Sequence, residues 1–247
     1  FLVMLFIPLL SLTASAEESS ATALSVTAFA TPEQLMSRDD FALHTDYAGV
    51  AQKVYFGSNI TGNGAVPQTW YIAGSDADNS IVLLCDPMLP LATGKVFEDS
   101  TANKTYDDNW GCTYDSTPSE VWANHYGASD FRLTTLKGLE TGAFTESEQS
   151  MMLETTVYTN DRTDSNYSTT DTLYAAYGEY NGRYITVGAN SAENLNGGLK
   201  VSLSSPPYNK SVLPFWLRTR YYGNSGSAQV VLGSYTNARN VNETYAV

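Results

Sequence analysis

Short stretches of this chain alternate apolar and polar positions with a period of two, and a helical period emerges only near its middle. Val54-Tyr55-Phe56-Gly57 and Thr69-Trp70-Tyr71-Ile72 flank a turn at Gly62-Asn63-Gly64. Ile81-Val82-Leu83-Leu84 follows the polar run Gly74–Ser80, so the last two of these strands are predicted to pair as a β-hairpin. Ser129-Asp130 is expected to cap a helix carrying Phe131, Leu133, Leu136 and Leu139. Thr145-Glu146-Ser147-Glu148 is a capping box, with Met151, Met152 and Thr155 following at helical spacing. Two short helices are therefore predicted inside an otherwise strand-and-loop chain. Further strands are expected at Phe215-Trp216-Leu217-Arg218 and Ala228-Gln229-Val230-Val231-Leu232. The turn signals fall at Asn160–Thr172 and Asn194-Leu195-Asn196-Gly197-Gly198. Between Pro87 and Ser119 no period is visible, and a long ordered loop region is predicted there.

The N-terminal run Phe1–Leu12 is uncharged and apolar and is followed by Ala14-Ser15-Ala16, which together read as a secretory signal peptide over residues 1–16. Residues 17–45 form a leader, with a short helix expected to start at Thr31-Pro32-Glu33-Gln34. Residues 46–247 are left as one domain. No later segment offers the roughly 18 consecutive apolar residues of a membrane-spanning helix, so the expected protein is secreted or held at the cell surface.

Charge narrows the partners. Asp and Glu number 26 against 13 Lys and Arg, a net charge of -13 that repels phosphate backbones, so nucleic acid is excluded as a partner. In an exported chain Cys85 and Cys112 admit two readings. A disulfide between them would contribute roughly 3 to 4 kcal/mol in the chain-entropy model; the other reading is a pair of buried thiols.

Four landmarks occur in one order: Val54-Tyr55-Phe56-Gly57, then Pro67–Ile72, the helix pair from Ser129 to Gln149, and Trp216-Leu217-Arg218-Thr219. Together they resemble the DUF6273 domain family of exported bacterial proteins, over roughly Tyr47 to the end of the chain. The resemblance implies an α+β, C-type-lectin-like mixed domain with two short helices, small antiparallel sheets and long ordered loops. That fold is shared with formylglycine-generating sulfatase-modifying enzymes and retroelement-diversified receptors. In the family a closing strand ends the domain. Only Tyr245-Ala246-Val247 of it is present here, which predicts a truncated last strand and an exposed edge.

Candidate chemistry is sparse. In the enzymes of that fold the reactive cysteines lie in the C-terminal part, whereas Cys85 and Cys112 both precede the helix pair. His44 and His125 lack triad partners at a recognisable spacing and read as packed or surface histidines. Asp76/Asp78 and Asp107/Asp108 sit in turn-forming sequence. Asp107, Asp108 and Asn109 beside Trp110 could supply some of the oxygens of a calcium site, against the simpler reading of a solvated acidic loop. Trp70 and Trp216 are expected in the core, and Trp110 and Trp122 as rings available to a sugar. Strand alternation places Phe215, Leu217 and Thr219 on one face and Trp216, Arg218 and Arg220 on the other. Arg218 is expected to be structural and paired with a buried carboxylate, with anion binding as the sharper alternative.

The stretch after Arg220 is rich in Tyr, Asn and Ser, residues that give contact area and adaptable hydrogen bonds. Tyr221, Tyr222, Asn224, Tyr235, Asn237 and Asn240 are its candidate ligand residues. The expected function is a non-catalytic binding module for a glycan or an extracellular protein, with no catalytic residues and with calcium as the one cofactor considered. An enzyme of the sulfatase-modifying superfamily and a structural spacer of a larger surface protein are the alternatives.

Overall fold

The computed structural model describes residues 2–5, 53–61, 64–75, 80–86, 89–160, 166–204 and 213–247. The leader helix expected at Thr31, together with His44, Asp76 and Asp78, lies outside them, as does the export segment apart from residues 2–5. The architecture is mixed: among the described residues it is mostly small antiparallel sheets, with one helix longer than a single turn.

Strand β1 is Leu2–Leu5, β2 is Lys53–Thr61, β3 is Gly64–Ser75 and β4 is Ile81–Cys85. Thus the start of the predicted export peptide is itself a strand, running antiparallel to β4 with Leu2 opposite Leu84 and Leu5 opposite Ile81. With β1 on one side and β3 on the other, β4 is buried along its whole length, and its sequence is correspondingly an unbroken apolar run. The predicted β3–β4 hairpin is present, with Trp70 opposite Cys85. The register of β2 against β3 shifts between Tyr55 and Ser58. The intervening Gly57 has φ +70, and a Cβ there would lie 2.5 Å from the ring of Phe144. Glycine is thus required twice over, by its backbone and by the packing of Phe144. That bulge receives the helical region: Gly57 N donates to Glu148 Oε1 at 2.8 Å and Ser58 N to Ala143 O at 2.7 Å.

From Leu89 to Ser119 the chain is largely irregular, as expected, and the irregular stretch runs on to Asp130; it carries only small elements. These are β5 (Lys104–Thr105), a 3-10 turn at Asp108–Trp110, β6 (Cys112–Tyr114), β7 (Glu120–Val121) and a second 3-10 turn at Tyr126–Ala128. The helix follows, a π-helical stretch Phe131–Leu136 continuing as the α-helix Lys137–Gly142. The Thr145 capping box is formed, with Glu148 N donating to Thr145 Oγ1 and Thr145 N to Glu148 Oε2, yet it starts a single turn, Glu146–Gln149. The second predicted helix thus shrinks to one turn. Met151 and Met152 are drawn into the core, and Thr155 opens β8 instead of continuing the helical period.

The remaining strands are β8 (Thr155–Asn160), β9 (Asn166–Asp171), β10 (Leu173–Tyr174), β11 (Tyr184–Val187), β12 (Leu199–Ser202), β13 (Phe215–Arg220), β14 (Ser227–Leu232) and β15 (Tyr235–Asn240). They form the sheets β6-β9-β8, β11-β12 and β13-β14-β15, while β10 closes the first sheet against β1. The main core lies where β4, β13 and β14 meet the helix. Phe97 stacks on Phe131 at 5.8 Å and meets the edge of Trp216 at 5.4 Å. Trp70 and Trp216 are fully buried, and each indole N–H finds a carbonyl: Phe56 O at 2.7 Å for Trp70, Lys95 O at 2.9 Å for Trp216. Alternation along β13 leaves neither side to solvent, since all six of its residues are buried. The chain end is packed too: Tyr245-Ala246-Val247 bonds to Lys95, Pro214 and Ala92, and Ala246 bridges Phe215.

Candidate functional site

The turn joining β13 to β14 is held from beneath by one buried side chain. Asn124 sits on the tight turn Trp122–His125, where His125 N donates to Trp122 O at 3.0 Å. Its Nδ2 faces three backbone carbonyls, Tyr221 O and Asn224 O at 3.0 Å each and Ser227 O at 2.7 Å. Two hydrogens serve three acceptors, so one is shared. The turn is thereby fixed at its start, its middle and its end.

Aromatic rings crown this turn. The buried Arg220 has its guanidinium carbon 4.3 Å from the centroid of Tyr222 and 5.6 Å from that of Trp122, so the cation lies against both rings. Tyr222 is 56 % exposed although its position is set by a buried partner. Tyr221 packs on Tyr180 with centroids 5.0 Å apart, and Tyr180 is itself exposed. Beneath them, burial pushes the Tyr177 phenol up to about 12, with Tyr222 acting in the same direction and the guanidinium of Arg218 against it. Tyr177 therefore remains a neutral hydroxyl at ordinary pH.

The structure assembles only part of the predicted set. Trp122, Tyr221, Tyr222 and Asn224 gather around the Asn124 clamp. Tyr235, Asn237 and Asn240 lie on β15, in a sheet rather than in a loop. There the Ser227↔Asn240 and Leu232↔Tyr235 pairs put Asn240 and Tyr235 at opposite ends of β14, and Asn240 has the opposite parity to Tyr235 and Asn237. Trp110 does not offer its ring: it is buried against Tyr106 at 5.7 Å and His125 at 6.3 Å. Of the acids beside it, Asp107 serves the backbone, its Oδ1 capping the 3-10 turn by accepting from Asn109 N at 2.9 Å. Tyr180, Arg220 and Asn124 were not among the predicted ligand residues. For Tyr180 the available signal is Tyr177-Gly178-Glu179-Tyr180-Asn181-Gly182, which shares the Tyr, Gly and Asn composition of the predicted stretch.

The two cysteines are thiols and not a disulfide. Cys85 ends β4 in the main core, where it accepts from Gln68 Nε2 at 3.3 Å, whereas Cys112 begins β6 in another sheet, against Gly127. A Cβ on Gly127 would lie 2.3 Å from Cys112 Sγ, which shows how tightly the two segments approach. Burial pushes the Cys85 thiol up to about 12, so it behaves as an apolar residue. Among the described residues, no three His, Cys, Asp or Glu converge as metal ligands, and no helix is long and apolar enough to cross a membrane. A depression bounded by Leu84, Cys85, Phe215 and Val247 has an internal volume of about 10 Å3, near the least that holds a water.

His125 is packed rather than poised. Its ring stacks on Tyr167 at 4.0 Å, and Nδ1 accepts from Ala128 N at 3.2 Å. The proton of the neutral ring therefore belongs on Nε2, which donates to Tyr114 Oη at 2.9 Å. Burial first, and the charges of Arg132, Arg220 and Lys104 second, lower its pKa to about 3. In the unfolded chain it takes a proton near 6.5. The unfolded state thus binds the extra proton below that pH, and the stability linked to neutral His125 is present above pH 6.5 and lost as pH falls towards 3. Between pH 6.5 and 5, above the carboxylate range, denaturation midpoints of the wild type are expected to fall with acidification while those of His125→Gln stay flatter. Parallel curves would remove His125 as the cause.

Comparison with protein-family models, with curated proteins and with solved structures gave no match.

Proposed function

We propose that this chain is a non-catalytic binding module of an exported or cell-surface bacterial protein, and that its ligand is a glycan held on the aromatic face of the β13–β14 turn. The carrying observation is Tyr222, an exposed ring backed by buried Arg220 and set on a turn that Asn124 pins at three points. An aromatic side chain already fixed before the ligand arrives loses little freedom on binding, and a flat ring fits the apolar face of a sugar. Tyr180 and Tyr221 extend the surface beside it. The platform's charge points the same way, because its cation is buried beneath the rings.

A lectin-like domain of the DUF6273 kind is the fold reading that accompanies this proposal. Small antiparallel sheets, long irregular connections and the buried Trp216-Leu217-Arg218 strand support it.

The test is a glycan array followed by calorimetry on the hits. Tyr222→Ala and Tyr180→Ala are each expected to weaken binding about tenfold or more, a loss of roughly 1.4 kcal/mol, while thermal midpoints stay near wild type because both side chains are exposed. An array without saturable hits, or hits indifferent to both substitutions, defeats the glycan reading. Saturable capture of a protein that depends on the same two residues would replace the glycan with a protein ligand.

A further inference from the structure

Arg218 lies in the middle of β13 with none of its surface exposed. Its Nη1 donates to Ala175 O at 2.8 Å, and the guanidinium carbon is 5.4 Å from the centroid of the Tyr177 ring. Nε and Nη2 are equally enclosed and have no hydrogen-bond partner. The carboxylate expected for this arginine is engaged elsewhere: buried Asp171 holds Arg132 Nε at 2.8 Å and stands 3.5 Å from Lys137 Nζ.

A guanidinium does not shed its proton inside a protein, and a buried charge without a counter-group is strongly destabilising. The groups whose electrostatics reach Arg218 most strongly, after its own burial, are the phenols of Tyr174, Tyr126, Tyr177 and Tyr167. Burial raises both Tyr126 and Tyr177, so neither becomes a tyrosinate able to serve as counterion. Tyr126 Oη already accepts from Ala175 N at 3.3 Å, which leaves its hydrogen to donate. Arg218 Nε and Nη2 and the Tyr126 hydroxyl hydrogen are therefore donors around one full positive charge, and among the described residues no carboxylate is bonded to that guanidinium.

We propose that Arg218 Nε and Nη2 bind a small monovalent anion of the chloride class inside the core, where β13 passes the segment from Ala175 to Tyr177, with the Tyr126 hydroxyl donating to the same ion. Such a site is structural, and it stands independently of any ligand on the turn above. It assigns Arg218 the anion-binding role without exposing it to solvent.

Thermal unfolding in sodium chloride and in sodium gluconate at equal ionic strength tests it. The midpoint is expected to rise saturably with chloride and with bromide, by roughly 4 °C or more over gluconate, and this dependence is expected to vanish in Arg218→Met. Should that variant fail to fold, bromide-soaked wild-type crystals decide: the anomalous peak is expected within hydrogen-bond distance of Nε and Nη2. Equal midpoints in the two salts, a chloride effect unchanged in Arg218→Met, or no bromide peak at Arg218 would each overturn the proposal, the donors then being met by water alone.

Discussion

Arg132→Met is expected to cost about 3 to 5 kcal/mol of folding stability, the usual penalty for removing one member of a buried ion pair. Arg132 Nε lies 2.8 Å from Asp171 Oδ2, and both side chains are almost wholly buried. Its Nη1 also donates to Trp110 O at 2.5 Å and Gly127 O at 3.0 Å, so one guanidinium ties the helix to β9 and to both 3-10 turns. Methionine fills similar volume but leaves Asp171 with only the half-exposed Lys137 at 3.5 Å and orphans two carbonyls. In a chain of this size the midpoint should fall by roughly 10 °C. Replacing both partners, Arg132→Met with Asp171→Leu, should recover most of the loss, because the stranded carboxylate is the costly part. Urea denaturation of the two single variants and the double variant measures this. A single-variant loss below about 1 kcal/mol would show that the pair is not structurally important.

Asn124→Ala should damage stability and recognition together. The Ser227 carbonyl it serves is deeply enclosed and would be left with the long 3.4 Å bond from Tyr221 N, and an under-satisfied buried acceptor costs roughly 1 to 3 kcal/mol, so a loss in that range is expected. Asn124→Asp should be worse, because it sets a carboxylate against three carbonyl oxygens with no donor between them. In both variants amide exchange should accelerate across residues 221–226, and glycan affinity should fall even though no ring is altered. Tyr222→Ala supplies the contrast, losing affinity with stability retained. If Asn124→Ala binds as wild type, the turn holds its own shape and the clamp is redundant.

What could be read in advance was what depends on near neighbours. The Thr145 capping box and the β3–β4 hairpin are written within a few residues of where they form. The length of the second helix could not be read, because packing of Met151 and Met152 outweighed the helical period. β15 was concealed by its polar composition: Thr236 is its one buried residue, and the remainder face outward or sit part-buried. The site was half legible for the same reason. Tyr221 and Tyr222 stood out by type, but Asn124 lies about a hundred residues from the carbonyls it serves, and Arg132 lies 39 residues from Asp171. No local pattern announces such partners. The expectation for Arg218 failed differently, since burial was foreseen but Asp171 was already committed to another arginine.

Asn124 touches the turn only through main-chain oxygens, at Tyr221, Asn224 and Ser227. The contact is therefore indifferent to which side chains those positions carry. Shape and sequence are largely uncoupled here: apart from Gly223, where a Cβ would lie 2.3 Å from the Tyr221 ring, positions 222, 224 and 225 can drift, or be diversified in a library, while one asparagine keeps presenting them in the same frame. New specificities could then arise without the core being rebuilt.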